Sequence, residues 1–383
     1  MPIPSEGWFL YPGPAVGRNG MAELVHEHFE LSDLEEDEML VEPIYGSWEA
    51  NIDHALHRDP VDICRMRGED KVIPGNGAIV RVVEVGNAVK GFRPGQYGFS
   101  NLYLKWDRWG YTELVSGYDW PGHPGLLCKR LKVKSHWLLP VPDGTRHGLA
   151  QWAAFSIRYP TAWSNWELAY GTFRLLIGAE EMPSIHVWGW GGGTSLAELD
   201  LARRHGHQAV MLSGDPRRRA IIERAGVPAV DRTAFESLEP PTEGSTDAER
   251  NAYVEAEEAF LREVQRRTGG EMVQVFVDMI GKPVFRATLK ALSRQGVITT
   301  AGWKAGMRLS LLRALECIRR RQHVHTHFAR RTEVKAAVDY AERTGWMPEV
   351  DERIYGFDEI PQLAQDYAED KVGMFTCYQM NPE

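Results

Sequence analysis

An α/β protein of two domains, one β-rich and one built on a doubly wound parallel sheet, is expected from three features of this 383-residue chain. The first is length: at roughly 100–200 residues per domain, the chain suffices for two separate cores. The second is a succession of short apolar segments broken by Gly and Pro between residues 72 and 144. The third is a regular alternation of apolar runs and helix-spaced segments from residue 184 to 303. That alternation is the pattern of parallel strands joined by right-handed crossovers.

In the β-rich part, GAIVRVVEVG (77–86) is an apolar run of strand-forming residues. Pro94-Gly95 sets a tight turn before a second short strand, LLCKRLKV (126–133) alternates, and SHWLLPVPDG (135–144) closes on Pro and Gly. Residues 1–40 show no clear period, and the acidic run ELSDLEEDEM (30–39) reads as solvated surface.

The texture then changes. Residues 148–177 have helical spacing, with an interruption expected at Pro160. Strands are expected at 184–190, 208–214, 227–232, 273–281 and 297–303, and helices at 195–206, 215–226 and 283–296. Residues 236–270 begin polar and Pro-rich, then take on the spacing of an amphipathic helix. The last fifty residues read as short strands that rejoin the first domain.

Charge and cysteine content exclude some functions. A formal net charge of −9 disfavours wholesale binding to nucleic acid or an anionic membrane. No apolar run approaches the ~20 residues of a membrane helix, and the N-terminus has no apolar core of a signal peptide. Cys64, Cys128, Cys317 and Cys377 are dispersed, which suits a reducing cytoplasm better than a disulfide framework. The thirteen Trp suit core packing or apolar pocket walls.

The strongest local signal is Val187-Trp188-Gly189-Trp190-Gly191-Gly192-Gly193-Thr194-Ser195, which follows a strand and opens a helix. Gly189, Gly191, Gly192 and Gly193 let the backbone turn sharply and approach a pyrophosphate, while Thr194 and Ser195 begin a helix whose free N–H groups favour an anion. An NAD binder carries an acid at the end of the next strand. Here that position is Ser213, and Arg217 and Arg218 follow as candidate donors to a 2′-phosphate, so NADPH is favoured. Arg219 reads as a solvated helix face.

At this point the residues resemble the medium-chain dehydrogenase/reductases, through VVEVGNAVKGFRPGQYGF (82–99) and VWGWGGGTSLAELDLA (187–202). Within that superfamily the segments AYGTFRLL (169–176), RRTGGEMVQVFVDMIGKPVF (266–285), HTHFARRTEV (325–334) and DKVGMF (370–375) are most similar to crotonyl-CoA carboxylase/reductases. The resemblance implies a GroES-like catalytic domain (1–155 and 326–383) interrupted by a Rossmann domain (156–325). It implies Thr172 near the nicotinamide. It implies His327, Tyr118 and Asp119 as counterparts of a CO2-pocket His and Phe-Glu pair, and sets Asp59 near the Asn of that pocket. Tyr118 is also a candidate general acid if its phenol pKa is lowered. Asp59 is a candidate base, or a simple cap before Pro60.

Zinc is not expected. The zinc enzymes use a Cys and a Gly-His-Glu. Here Gly75-Asn76-Gly77 replaces the triplet, and the Cys position falls near Asp59. Alternation in HVHTH (323–327) would place His323, His325 and His327 on one face, but no carboxylate or Cys supports a metal there.

The expected activity is NADPH-dependent reduction of an α,β-unsaturated acyl thioester, carried by CoA or an acyl-carrier protein, with carboxylation at Cα as a variant that the carboxylate of Asp59 opposes. Two alternatives stand: reduction of a free enone, quinone or aldehyde, and NADPH binding without turnover. RRRQHVHTHFARR (319–331) is a candidate basic docking patch or a solvated helix end. A homodimer is implied by resemblance alone.

Overall fold

The computed structural model describes residues 2–16, 20–100, 103–302, 305, 308–326 and 329–383. The chain divides into two compact units, Met1–Ile157 with Arg330–Glu383, and Arg158–Ala329.

The first unit is built on a seven-stranded sheet. Along it, in order, lie Ile354–Tyr355, Cys377–Gln379, Glu38–Ser47, Ala78–Val85, Tyr97–Ser100 and Leu138–Pro140, and Leu131–Lys134 also pairs with Glu38–Ser47. Period two explains the strand Ala78–Val85: Ala78, Val80 and Val82 enter the core, while Arg81 turns outward to Glu42 of the neighbouring strand at 2.8 Å. Two ribbons complete the unit, Ile3–Phe9 with Val25–Leu31, and Tyr103–Trp106 with Thr112–Val115. The acidic run 30–39 forms a turn between strands, its Asp37 and Glu38 paired with Lys134 (2.6 Å) and Lys132 (2.7 Å).

The tail differs from expectation. It carries the helices Arg331–Thr344 and Ile360–Ala368 besides two very short strands. Val334, Ala337, Val338 and Ala341 are buried at i, i+3, i+4 and i+7, the stripe of an amphipathic helix.

The second unit has six parallel strands in the order Ala229–Asp231, Gln208–Ser213, His186–Trp190, Val273–Asp278, Leu292–Thr300, His323–Thr326. Counted along the chain this is 3-2-1-4-5-6, the doubly wound order. The central strands are buried on both faces and are accordingly continuous apolar runs. Trp188 and Trp190 are fully buried there, and Trp190 packs on Phe260 and Phe276, each at 5.1 Å between ring centroids. Phe260 comes from the helix Asp247–Thr268, which starts at a Thr246/Glu249 capping box.

Two boundaries depart from the sequence reading. The helix Leu149–Leu176 runs through Pro160 without a break, and the division between the units falls inside it. The helix after the fourth strand ends at Ala291, so Leu292–Gly296 belong to the fifth strand rather than to the helix. Gln295 there takes φ +64°, and its N–H donates to Arg320 O at 2.8 Å.

Candidate active site

In the parallel unit the sheet order reverses between His186–Trp190 and Val273–Asp278, and ligands of such sheets sit outside the carboxyl ends of the strands at that point. Three loops meet there. Met279 N donates to Trp190 O (3.3 Å), Ala301 N to Met279 Sδ (3.2 Å), and Ala305 N to Ile280 O (2.9 Å).

The glycines divide the work. A Cβ on Gly189 would press on Val277 and Leu199 at 3.0–3.2 Å, so this residue serves sheet–helix packing. Gly191 has φ +141°, and a Cβ there would strike Ser195 Oγ and lie 2.9 Å from Met279 Cβ. Gly192 is exposed, and a Cβ on it would meet nothing within 4 Å. The backbone is thus bare on its outer side, where the helix Gly193–Arg204 begins with unsatisfied N–H groups. Thr194 is half-buried. Ser195 is fully buried and donates to Trp190 O (3.1 Å), so its side chain closes the loop instead of facing a ligand.

Behind the loop, Asp278 Oδ1 accepts from Ile280 N (3.0 Å) and Gly281 N (2.9 Å), and Thr288 donates to Oδ2 (3.3 Å). Burial pushes this carboxyl up to about 6, against the opposing effect of those bonds.

At the end of the second strand Ser213 is buried and no acid replaces it. Asp215 caps the helix Pro216–Arg224 by accepting from Arg217 N (2.7 Å), and the Arg217 guanidinium pairs with the same carboxylate at 2.8 Å while remaining 63% exposed. Arg218 is half-buried and its charge also bears on Asp215. Arg219 is not a solvated residue. It donates to the carbonyls of Ser213 and Gly214, both at 3.1 Å, and pairs with Asp231 at 3.1 Å. Sequence reading missed Arg232, whose guanidinium lies 3.6 Å from a Cβ built on Gly214. The signal was available: Arg232 directly follows the third strand, and parallel pairing sets Asp231 opposite Ser213.

Thr172 is half-buried in the helix Leu149–Leu176, one residue before the buried Phe173. His323 and His325 share a face of their strand, their rings parallel at 6.2 Å, whereas His327 lies outside the described residues. In the basic segment, Arg320 donates to Leu289 O (3.0 Å), Arg330 pairs with Glu333 (2.6 Å), and Arg331 lies over the Trp106 ring (4.1 Å). Much of that charge is engaged within the protein.

In the β-rich unit, Asp59 lies outside the sheet strands. It follows the helix Ala50–His57 and is exposed. Strand pairing sets Gly46 opposite Ala78, and Ser47 N donates to Gly77 O at 2.9 Å. Trp48 and Glu49 therefore adjoin Gly75-Asn76-Gly77. A Cβ on Gly77 would lie 3.4 Å from Glu49 Oε1, so the buried carboxylate of Glu49 borders the space that a side chain at residue 77 would enter.

Around it gather Asn76, Tyr118 and Tyr378. Asn76 Oδ1 and both phenol oxygens are buried without a hydrogen-bond partner in the structure. Burial first, and then the neighbouring Glu49, raises both phenols well above their ordinary pKa. Tyr118 is therefore not the phenol of lowered pKa that its sequence context suggested. Its neighbour Asp119 is exposed and accepts from Val115 N at 3.2 Å, within its own turn. Glu49 and Tyr378 were missed by sequence reading, because only the antiparallel register brings residues 46–49, 75–77 and 378 together.

A β-rich unit and a doubly wound parallel-sheet unit in one chain make a fold shared with several solved structures. The structure is similar to crotonyl-CoA carboxylase/reductase AntE in complex with NADP (TM-score 0.79, 18% identity, covering 99% of this chain and 95% of that one). It is similar also to the 2-octenoyl-CoA carboxylase reductase CinF in complex with NADP and 2-octenoyl-CoA (0.78, 16%, covering 99% and 88%). A third similar structure is CAD from Helicobacter pylori complexed with NADP(H) (0.72, 14%, covering 99% of both chains). No family model and no curated protein sequence matches the chain.

Proposed function

We propose that this protein is an NADPH-dependent reductase of α,β-unsaturated acyl thioesters. The observation that carries the reading is the Gly191-Gly192-Gly193 turn, bare at Gly192, at the sheet's switch point, with arginines in place of an acid at the end of the second strand. The residues fit the coenzyme. The N–H groups at the start of the helix Gly193–Arg204 would hold the pyrophosphate. Arg217, Arg218 and Arg232 would neutralise the 2′-phosphate, and Ser213 leaves it unopposed. Bound NADPH supplies a hydride, here to Cβ of the thioester.

The β-rich unit would supply the proton. Reduction at Cβ leaves an enolate, whose basicity far exceeds that of a carboxylate or phenolate, so a protonated carboxyl or a phenol can protonate Cα. Glu49 in its protonated form is the acid assigned here, with Tyr118 and Asn76 beside it. His327, Asp119 and Asp59 remain candidate contacts. The CoA esters named in two similar structures support a thioester substrate, and reduction with carboxylation at Cα is the variant they suggest.

The test follows NADPH absorbance with crotonyl-CoA and 2-octenoyl-CoA, against free enones, quinones and aldehydes, with and without bicarbonate. Thioester-dependent turnover is expected, and an excess of rate on any free acceptor would overturn the substrate assignment. Glu49→Gln is expected to lower kcat by about 10²-fold while leaving the Kd for NADPH unchanged.

A further inference from the structure

The N-terminal ribbon carries a cluster that the reductase chemistry does not use. Its strands Ile3–Phe9 and Val25–Leu31 are antiparallel, with Glu6 opposite His28 and Trp8 opposite His26. His26 and His28 are two residues apart on one strand, so both rings rise from the same face. Glu6 stands on that face from the other strand. His26 Nε2 lies 3.0 Å from Glu6 Oε2, and His28 Nδ1 lies 3.7 Å from the same oxygen. One donor atom from each residue falls within 4.8 Å of the other two, and this is the one group of three such side chains among the described residues.

We propose that Glu6, His26 and His28 form a binding site for a divalent transition-metal ion. Two imidazoles and one carboxylate are the ligand set that zinc takes when it keeps a coordination position for water. With metal–ligand bonds of about 2.0–2.1 Å, tetrahedral donors stand about 3.3 Å apart. The two measured separations bracket that value, so small side-chain rotations complete the set. Imidazole nitrogens select Zn2+, Cu2+ or Ni2+ over Mg2+ and Ca2+.

The surroundings hold the ligands in place. The His26 ring lies 5.3 Å from both the Trp8 and the Phe357 rings, and Trp8 Nε1 donates to Phe357 O at 3.0 Å. This aromatic floor fixes the orientation of His26. The Glu6 backbone is anchored as well, its carbonyl accepting from Lys129 N at 2.8 Å. His28 stays 81% exposed, so an ion enters from solvent without opening the fold. The ion would add a link between two strands already joined by backbone pairing, by the His26–Glu6 contact and by the packing of Trp8, Phe9 and Phe29.

Calorimetric titration of tag-free, chelator-treated protein with Zn2+ at neutral pH is expected to show one site with a Kd of about 10 µM or tighter, and none for Mg2+. His28→Ala, which removes a side chain that is 81% exposed, should weaken Zn2+ at least fivefold, as should Glu6→Gln. Cu2+ in place of Zn2+ should give an electron paramagnetic resonance spectrum with coupling to two nitrogens, reduced to one in His28→Ala. Zn2+ binding that is absent, or a loss smaller than fivefold in His28→Ala, overturns the proposal. These readouts need no turnover, so their outcome is independent of the assigned reaction.

Discussion

Two adjacent glycines separate what the nucleotide turn needs for folding from what it needs for a ligand. Gly191→Ala forces a Cβ against Ser195 and Met279 in a φ +141° conformation, so it is expected to lower stability and raise the Kd for NADPH at least about tenfold, or 1.4 kcal/mol. A Cβ on Gly192 meets nothing within the chain. Gly192→Ala should leave denaturant stability unchanged to within about 0.5 kcal/mol and still weaken NADPH. Fluorescence titration beside urea unfolding distinguishes the two. Asp278 adds a pH dependence. Its folded pKa of about 6 lies above the ordinary 3.8, so the folded chain holds the proton more firmly than the unfolded one. The associated stabilisation is complete below about pH 4 and is lost as pH rises through about 6. Asp278→Asn still accepts from Ile280 and Gly281 but cannot titrate. Relative to the parent, it should gain on the order of 2–3 kcal/mol between those limits, read from urea unfolding as a function of pH.

Helices and strands repeat the lesson at longer range. The helix Asp247–Thr268 is announced by its capping box and by buried Ala256, Phe260 and Val264 on one face. Thr246 Oγ1 accepts from Glu249 N at 3.2 Å, and Glu249 Oε2 accepts from Thr246 N at 2.7 Å. Thr246→Ala is expected to cost about 1 kcal/mol in thermal or urea unfolding without changing the Kd for NADPH. The buried strands of the parallel sheet were legible as apolar runs because both faces are covered. The N-terminal strand Val25–Leu31 was not, since it is half-buried or exposed throughout and Glu27 interrupts the face shared by Val25, Phe29 and Leu31. The helix through Pro160 was misjudged for a different reason: a local penalty of one lost hydrogen bond is outweighed when Trp152, Phe155, Trp166 and Phe173 are all buried along the same helix.

In the proposed reading the coenzyme is held by the glycine turn of the parallel-sheet unit. NADP+ at about 100-fold over its Kd should stabilise the folded protein by about 2.7 kcal/mol. For a unit of this size that is a rise of roughly 5–10 °C in Tm, measured by calorimetry. A protein that binds no NADP+ would show no shift, and the reductase assignment would fall with it.

The order of strands and helices, the glycine turn and the missing acid at Ser213 are local properties, and each was written in the spacing and chemistry of neighbouring residues. The placement of Glu49 beside Asn76 and Tyr378, of Arg232 beside Gly214, and of Glu6 beside His26 and His28 depends on strand register. Register is set by which apolar faces bury against each other over long separations, and a one-residue slip would send every one of these side chains to the opposite face. Local pattern therefore fixed the architecture, while the partners of each polar side chain emerged only when the sheets closed.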